Sequence, residues 1–479
     1  MHVLPPQRLA RLLAPHLVAG PAYTGVATGL RSLLLDGRLA AGSRLPSERD
    51  LAAALGTSRT TVTAGYDLLR EQGYVLSRRG AGSTLVLPRS RAVRPVVPGP
   101  APDPGAGGPH TPEVLDLAVA ALPAPSVLAE LAAEAAAALP PVLAGHGLHP
   151  LGLPDLREAV AAHLSGRGLP TDASQVLVTA GALHGWDLLL RALVRPGDRV
   201  LVEQPSYPSV VDAALARGAR PVALPVGADG WELPVHRPAP VLVHVTPDAQ
   251  NPTGLIASAA QRRELLAALP PTATVVADET FADLLDDDLP GGAPPPMAAL
   301  APAGRVLTVG SLSKSVWAGL RIGWVRGPAE VVRRLAVARG GQDLASPVLE
   351  QLLAVAVLRR ADGLLGERRA LVRRRRAAML AALAEHAPTW RVRPPAGGLV
   401  LWADLGAGVR TALAELAAGR RVRLAPGPRF GLGGTHDRFL RLPCTVAEDA
   451  CGPLVRDLHA WSRELAPAPA GARRGGRRR

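Results

Sequence analysis

Short apolar runs separated by helical patterns fill residues 113–465 and constrain the fold more than any other feature. Six runs rich in Val, Leu and Ala predict strands at 175–179, 199–202, 220–224, 241–245, 274–278 and 305–309. Helical stretches such as 182–193 and 207–217 lie between them. This alternation predicts a parallel α/β sheet. Ligands of such sheets bind beyond the carboxyl ends of the strands, so polar residues there are candidate site residues.

Lys314 is the only lysine in the chain, and the other 53 basic residues are arginines. Arginine can replace lysine as a surface cation, but a guanidinium stays protonated and cannot attack a carbonyl as a free amine. Lys314 follows the last predicted strand, and Ser311, Ser313 and Arg321 are its neighbours. Hydroxyls and an arginine around such a lysine suit a cofactor that carries a carbonyl and a phosphate. The alternative is a lysine left by chance on a solvated surface.

Polar residues also mark the ends of other predicted strands. Gly181 and Ala182 open a helix whose amides can hold a phosphate, although many such turns carry glycine only for packing. Tyr207 can stack on a planar ring or belong to the core. Asn251, in the segment TPDAQNPTG, can donate a hydrogen bond to a ring oxygen. Asp278 can keep a pyridine nitrogen protonated, or it can simply cap a helix.

Together these residues resemble the fold type I pyridoxal 5′-phosphate enzymes, the aminotransferase-like group, over roughly residues 155–441. The resemblance implies that Lys314 is the Schiff-base lysine and that Asp278 pairs with the pyridine nitrogen. It also implies that Asn251 binds the ring oxygen and that Tyr207 stacks on the ring. The phosphate would be held by Gly181, Ala182, Ser311, Ser313 and Arg321.

Two further positions define what the aminotransferase-like site would accept. Arg441 matches the arginine that pairs bidentately with the α-carboxylate of an amino acid. Phe281 stands where many of these enzymes carry a tyrosine whose hydroxyl also reaches the ring oxygen. Loss of that donor is expected to alter the reactivity of the lysine, so the resemblance favours sensing over efficient turnover.

Residues 1–88 follow a different pattern, with helices predicted at 25–36, after Ser47, and at 59–72. Ser47 and Ser58 are natural N-caps, and Gly56 marks the turn between the second and third helices. One face of the third helix is apolar and the other presents Arg59 and hydroxyls, as in a recognition helix. A basic hairpin at 74–86 suits a phosphate or minor-groove contact. On this pattern alone, a protein-interaction domain is also possible.

The segments LAAGSRLPSERDLA (39–52), LGTSRTTV (55–62) and YDLL (66–69) resemble the winged helix of the GntR family of transcription regulators. The resemblance implies that Arg49, Arg59, Thr60 and Thr63 contact DNA and that Gly82 lies at the wing. Gly65, within the recognition helix, costs about 1 kcal/mol of helix stability relative to alanine. Close packing is the one physical reason we expect for it.

Charge is concentrated at the two ends of the chain, whose formal net charge is +14. Residues 1–88 hold ten arginines against five acidic residues, and the last seven residues hold five arginines. This placement indicates an anionic partner for the N-terminal module. The tail at 466–479 is expected to be a disordered basic arm, or a solvated tail without consequence.

Residues 89–112 are dense in Pro and Gly and predict a semi-rigid linker, with an insert over the next domain as the alternative. Cys444 and Cys451 are too few for a disulfide framework, and the sequence shows no metal-ligand cluster. No apolar run is long enough for a membrane helix, and the N-terminus lacks a signal peptide. We therefore expect a cytoplasmic protein without a metal site.

A winged helix, a linker and an aminotransferase-like domain in this order resemble the MocR subgroup of the GntR regulators. The expected fold is α/β: an N-terminal winged helix-turn-helix domain (1–88) joined to a fold type I aminotransferase-like domain (113–465). The resemblance implies a homodimer that binds double-stranded operator DNA and responds to an amine, an amino acid or the cofactor itself. The alternatives are an active aminotransferase with an appended DNA-binding domain, and a DNA-binding protein whose large domain only dimerises.

Overall fold

The computed structural model describes residues 4–17, 22–35, 39, 43–78, 82–86, 114–227, 230–232, 239–406, 410–432, 435–436 and 438–465. The predicted linker, the basic tail and the tip of the wing at 79–81 lie outside them, so those predictions stay untested. In the part of the chain that is described, no helix is long and apolar enough to cross a membrane. Those same residues hold no cluster of His, Cys, Asp and Glu that could bind a metal ion.

The N-terminal module has four helices and a hairpin: α1 (Pro6–Leu13), α2 (Ala22–Leu35), α3 (Glu48–Leu55), α4 (Arg59–Glu71), β1 (Val75–Arg78) and β2 (Gly82–Leu85). The two serine caps are confirmed. Ser47 accepts a hydrogen bond from the Asp50 amide at 3.2 Å, and Ser58 accepts one from the Thr61 amide at 3.1 Å. Gly56 ends α3 at a φ of +66°. Helix α1 was not predicted.

Helix α4, the predicted recognition helix, packs closely on α2 through Gly65. A Cβ built at Gly65 would lie 3.0 Å from Val26 Cγ1 and 3.1 Å from the Tyr23 carbonyl oxygen. Val62, Tyr66 and Leu69, on the same side of α4, are fully buried in the core of the module. The predicted reason for a glycine within this helix, close packing, is therefore confirmed.

The large domain begins with β3 (Leu115–Asp116), α5 (Leu128–Ala137), α6 (Pro140–Leu143), α7 (Pro154–Gly166), β4 (Val176–Thr179), α8 (Ala182–Leu193), β5 (Arg199–Gln204), α9 (Pro208–Ala216), β6 (Arg220–Gly227) and β7 (Gly230–Trp231). It continues with β8 (Leu242–Val245), α10 (Ala259–Ala268), β9 (Thr274–Asp278), β10 (Val306–Ser311), α11 (Leu312–Ser315), β11 (Gly323–Arg326), α12 (Ala329–Arg339), α13 (Val348–Arg359) and α14 (Ala361–His386). All six predicted strands are present, each within a few residues of its predicted limits.

Eight strands form the large sheet in the order β4-β11-β10-β9-β8-β5-β6-β7. The central strands β10, β9, β8, β5 and β6 are parallel, but β11 is antiparallel to both its neighbours and β7 is antiparallel to β6. The six predicted strands therefore all run in the same direction, as expected of a parallel sheet, whereas the two antiparallel strands β7 and β11 were not predicted. The connection from β10 to β11 contains only a four-residue α-helix, α11, and a short turn, which suits an antiparallel return rather than a crossover.

A second, smaller lobe completes the domain and was not predicted as a separate layer. Its elements are β12 (Arg391–Val392), β13 (Val400–Asp404), α15 (Arg410–Gly419), β14 (Val422–Arg423), β15 (Ala425–Pro426), β16 (Phe439–Pro443) and α16 (Cys451–Glu464). The strands β12-β13-β16-β15 form an antiparallel sheet, and β14 pairs with β3 in parallel. The long helix α14 packs on α16, and side chains of both belong to the core of this lobe.

Candidate functional site

Lys314 lies on α11, at the point where the central strand β10 ends. Its Nζ donates a hydrogen bond to the Ala120 carbonyl oxygen at 2.8 Å. Burial, followed by the charges of Arg441 and Arg321, lowers the pKa of Lys314 to about 8, and Asp278 opposes this shift. A lysine in this environment has far more neutral amine near neutral pH than an exposed lysine has, and a neutral amine is what attacks a carbonyl.

Two buried serines shape the turn that carries Lys314. Ser311 Oγ lies 2.8 Å from the Ile322 carbonyl oxygen and 3.0 Å from Ser313 Oγ, and it accepts a hydrogen bond from the Ser313 amide at 3.1 Å. Ser311 is thus the N-cap of α11 and connects it to the residue before β11. This role in positioning the helix was not predicted. A phosphate contact from Ser311 and Ser313 stays a prediction.

Asp278 ends β9, as predicted. Its Oδ1 accepts hydrogen bonds from the Thr280 amide at 3.0 Å and the Thr280 hydroxyl at 2.5 Å, and its Oδ2 lies 4.0 Å from His244 Nε2. His244, on β8, is buried edge-on against Trp186, and this burial lowers the pKa of the imidazole. His244 was not predicted as a site residue. Its signal was a polar residue inside a strand of otherwise apolar residues.

The Asn251 side chain is buried with an unsatisfied polar atom. Its amide oxygen has no hydrogen-bond partner among the described residues. Buried polar atoms are nearly always hydrogen-bonded, so this end of the side chain has capacity for a ligand, and rotation of the amide presents its NH2 group instead. The preceding residue, Gln250, donates to Glu203 at 3.1 Å and to the Pro205 carbonyl at 2.7 Å, which fixes the loop.

Glu203 is a second buried group that the sequence analysis missed. Burial raises the pKa of its carboxyl to about 7, against the opposing hydrogen bonds from Trp231 and Gln250. The nearby Asp278 also raises the pKa of Glu203. Glu203 therefore lies close both to the loop that carries Asn251, through its hydrogen bond from Gln250, and to Asp278 at the end of β9.

A cradle for an anion is formed where α8 begins. Gly181, at a φ of +92°, precedes Ala182, the first residue of α8. The Arg321 guanidinium donates to the Ala180 carbonyl at 2.8 Å, and a Cβ built at Gly181 would lie 2.8 Å from Arg321 Nη2. A side chain at position 181 would therefore fill the space between the amides and the guanidinium. Free amides at a helix N-terminus beside an arginine suit a phosphate group.

Arg441 lies on β16 of the smaller lobe and is buried. It donates to the Ala118 carbonyl oxygen, and its Cζ lies 5.4 Å from the centre of the Phe430 ring. Burial lowers the pKa of Arg441 to about 10, with Tyr207 acting in the opposite direction, so the guanidinium stays charged at neutral pH. Tyr207 precedes α9, and Arg429, which the sequence analysis did not single out, also interacts with it electrostatically.

The structure thus brings the predicted residues of the large domain to one edge of the sheet. Lys314 interacts electrostatically with Arg321, Asp278 and Arg441, which come from the turn before β11, from β9 and from β16. Phe281 is buried in an apolar cluster and offers no hydroxyl. The arrangement can hold an anion at α8 and a carboxylate at Arg441, with a reactive amine near both.

The predicted DNA-contacting residues lie on the surface of the N-terminal module. Arg49, Arg59, Thr60 and Gly82 are exposed, and Thr63 is half-buried. The Arg59 side chain is 73% exposed and lies 3.6 Å from Glu48. Thr63 Oγ1 donates to the Arg59 carbonyl at 3.0 Å.

The wing has a contact that the sequence analysis missed. Arg44 forms an isolated antiparallel bridge with Thr84 of β2, which adds a third extended segment beside the hairpin. A Cβ built at Gly82, whose φ is +80°, would lie 2.8 Å from Arg44 Nε. A cation therefore lies beside Gly82, next to the tip of the wing, where a phosphate contact is expected.

Comparison with known proteins identifies both parts of the chain. Residues 22–85 match the family of bacterial regulatory proteins of the gntR type, and residues 113–458 match aminotransferase class I and II. The pyridoxine biosynthesis transcriptional regulator PdxR of Corynebacterium glutamicum is 33% identical over 395 residues, which cover 77% of this chain and 80% of that protein. The probable rhizopine catabolism regulatory protein MocR of Rhizobium meliloti is 31% identical, with 65% and 66% covered.

Solved structures of aminotransferases share the fold of the large domain. LysN, the α-aminoadipate aminotransferase of Thermus thermophilus, superposes with a TM-score of 0.66 at 28% identity, over 74% of this chain and 92% of LysN. The kynurenine aminotransferase of Pyrococcus horikoshii gives the same TM-score at 26% identity, over 75% and 93%. Because an aminotransferase domain follows a GntR-type helix-turn-helix domain, the chain belongs to the MocR subgroup of the GntR family of transcription regulators.

Proposed function

We propose that this protein is a transcription regulator that depends on pyridoxal 5′-phosphate. Its winged helix binds an operator in double-stranded DNA, and its aminotransferase-like domain senses an amine, an amino acid or a ligand related to the cofactor. The observation that carries this proposal is Lys314, a half-buried lysine that donates to the Ala120 carbonyl and has a pKa of about 8 among Arg321, Asp278 and Arg441. The division at residues 88 and 113, with a linker between, belongs to the same proposal.

The residues present fit the cofactor. The space between Gly181 and Arg321 is open only because position 181 has no Cβ. That space suits the phosphate. The amide oxygen of Asn251 has no hydrogen-bond partner among the described residues, so this side chain could form a hydrogen bond with a substituent of the ring. Asp278 would hold the pyridine nitrogen, and Tyr207 would stack on the ring. When bound, pyridoxal 5′-phosphate supplies an aldehyde and an electron-withdrawing ring.

Each charged side chain then has a defined task. Lys314 in its neutral form would supply the amine that condenses with the aldehyde, with loss of water, and desolvation beside two cations favours that form. Asp278 would hold a proton on the ring nitrogen, because a carboxylate stabilises a pyridinium. Arg441 receives the carboxylate of an amino-acid ligand, for which a guanidinium offers two parallel donors.

Ligand binding would reach the DNA through the arrangement of the two lobes. Arg441 belongs to the smaller lobe and Lys314 to the large sheet, so a ligand held by both favours their closure. We infer a homodimer, in which such closure changes the spacing of two winged helices on repeated half-sites. A coupling free energy of about 1–3 kcal/mol changes operator affinity roughly 5- to 150-fold.

An active aminotransferase is the second candidate function. Asn251 and Arg441 are buried, Lys314 and Asp278 are half-buried, and the large domain has the fold of LysN. Phe281 weighs against efficient turnover, since it lacks the hydroxyl that would reach the ring oxygen. Steady conversion of an amino donor and a keto acid at enzyme-like rates would favour the aminotransferase over the regulator.

The proposal is tested by spectral titration of the purified full-length protein. Wild type is expected to gain a visible absorbance band with pyridoxal 5′-phosphate that survives dialysis, and Lys314→Ala is expected to lack it. Arg374→Ala, an exposed change on α14, is the control that keeps the band. A wild-type protein that stays colourless would instead support a large domain that only dimerises.

A further inference from the structure

Residues 114–123, which we term the strap, cross from the smaller lobe to the large sheet. The strap directly follows the predicted linker from the DNA-binding module. At one end, β3 pairs with β14, and Leu117 is buried in the core of the smaller lobe. At the other end, Ala120 and Leu122 belong to the apolar cluster around Phe281. Any change in the position of the two lobes therefore acts on the strap.

Three backbone carbonyls of the strap accept hydrogen bonds from three cations. The Ala118 carbonyl accepts from Arg441, and the Ala120 carbonyl accepts from Lys314 Nζ at 2.8 Å. The Pro123 carbonyl accepts from Arg368 Nη2 at 2.7 Å. The strap is therefore hydrogen-bonded to both lobes.

Arg368 joins the strap to the helix that carries Lys314. Besides the Pro123 carbonyl, this buried guanidinium donates to the carbonyls of Ser315 at 3.3 Å and Val316 at 3.1 Å. Those carbonyls lie at the C-terminal end of α11. A displacement of the strap is therefore felt directly at α11.

The Ala118 and Ala120 carbonyls engage the same two side chains that the proposed function assigns to a ligand. When the amine of Lys314 condenses with a carbonyl carbon, with loss of water, it gives up its N–H groups, so the Ala120 carbonyl loses its donor. A carboxylate that pairs with two donors of Arg441 would draw on Nη2, which here donates to the Ala118 carbonyl. Arg441 is buried and Lys314 is half-buried, so a ligand that reaches them competes mainly with the strap at Arg441 and with both strap and water at Lys314. A ligand shifts such an equilibrium only by its differential affinity for the two states.

We propose that the strap is an internal gate, which competes with the ligand for Lys314 and Arg441 and is displaced when the ligand binds. This inference rests on the proposed function of the site. Because the strap is continuous with the linker, its displacement acts on the chain that leads to the DNA-binding module. The gate thus connects the ligand site to the DNA-binding module through one continuous stretch of polypeptide.

A strap that acts as a gate and a strap that only forms a wall of the site predict opposite changes in ligand affinity when its anchors are weakened. If the strap competes with the ligand, loosening its anchors destabilises the state in which the strap occupies Lys314 and Arg441. Ligand binding then becomes tighter. If the strap only shapes the site, loosening it weakens ligand binding. The anchors open to substitution are Leu122, which is 3% exposed, and Asp116, whose carboxylate pairs with Arg423 at 2.8 Å and accepts the Ala118 amide at 2.9 Å.

The test measures the affinity of the full-length protein for pyridoxal 5′-phosphate by absorbance titration. Leu122→Ala and the nearly isosteric Asp116→Asn are each expected to lower the Kd about fivefold, the factor that corresponds to roughly 1 kcal/mol of lost anchoring. Asp116→Asn guards against a folding defect in Leu122→Ala. Leu284→Ala is the matched control, because Leu284 is buried in the same apolar cluster but lies outside the strap. It is expected to leave the Kd unchanged or raise it.

The outcomes separate the gate from the proposed function. Tighter binding in both strap variants, without tightening in the control, supports the gate. An unchanged or raised Kd in the strap variants, with normal binding by wild type, overturns the gate and leaves the proposed function intact. Absence of binding by wild type and all variants overturns both, whereas binding by the strap variants alone supports a gate that holds wild type closed.

Discussion

At the scale of single residues, the environment of Lys314 decides its chemistry. Exposed lysines titrate near pH 10.4, too high to supply much free amine at neutral pH. In this fold burial and two arginines bring the pKa of Lys314 to about 8, while Asp278 limits the shift. The pH at which the lysine becomes reactive is thus set by groups that are distant in the sequence.

Removal of one of these arginines is expected to raise the pKa of Lys314. Arg441→Met removes a cation that lowers the pKa of Lys314, so the pKa rises and the neutral amine forms only at higher pH. The pH profile for association of pyridoxal 5′-phosphate is expected to move to higher pH. Stopped-flow absorbance across a pH series measures it, with Arg374→Met as the exposed-arginine control. A profile that stays in place would show that Arg441 does not influence the lysine.

The cradle at Gly181 yields a second residue-scale prediction. Gly181→Ala puts a Cβ 2.8 Å from Arg321 Nη2, so the guanidinium must move away from the helix N-terminus. Affinity for pyridoxal 5′-phosphate is expected to fall on the order of tenfold, or about 1.4 kcal/mol.

Gly168→Ala is the matched control for Gly181→Ala. Its φ of +84° is also positive, so an alanine there is strained too, but a Cβ there would have no neighbour within 4 Å. It is expected to lower the free energy of unfolding, by roughly 1–2 kcal/mol, without affecting cofactor affinity. Equal losses of affinity in the two variants would mean that strain, and not the cradle, is responsible.

At the scale of elements, helix propensity and tertiary packing act in opposite directions at Gly65 of the winged helix. Gly65→Ala gains up to about 1 kcal/mol in helix propensity. The added Cβ would also lie 3.0 Å from Val26 and 3.1 Å from the backbone oxygen of Tyr23, and neither neighbour is a flexible side-chain end. Overpacking costs about 1–3 kcal/mol, so a net loss of stability in the N-terminal module is expected.

Urea unfolding, with Tyr66 fluorescence or far-ultraviolet dichroism as the signal, measures that loss. Gly363→Ala on α14 is the control, because a Cβ there would meet no atom within 4 Å and only the propensity gain remains. Stabilisation by both substitutions would refute the close packing of α4 on α2 as the reason for glycine.

At the scale of the whole molecule, the proposed function assigns DNA binding and ligand binding to different domains, so one should be removable without the other. Arg59→Ala removes an exposed cation at the start of the recognition helix. It is expected to abolish sequence-specific binding, measured on an operator selected by wild type from random-sequence DNA. The visible band with pyridoxal 5′-phosphate is expected to stay, because Arg59 belongs to the N-terminal module. Unchanged operator affinity would contradict the assignment of α4 as the recognition helix.

Local signals were sufficient for much of both domains. The caps at Ser47 and Ser58, the six strands of the large sheet and the glycine that opens α8 depend on contiguous residues, so their patterns were visible in the sequence. The uniqueness of Lys314 and its neighbouring hydroxyls pointed to a cofactor before any contact was known. The antiparallel β11 was missed, because strand direction depends on where the returning chain packs and not on its composition.

The sequence by itself determined the order of the two domains, the family to which they belong and the residues that carry charge at the strand ends. Tertiary structure alone decided what those charges contact. Lys314 reaches a carbonyl 194 residues away and Arg441 reaches one 323 residues away. Backbone carbonyls are the same in every residue, so no sequence pattern marks the ones that will accept these bonds. Only the packing of the two lobes places the strap over the lysine.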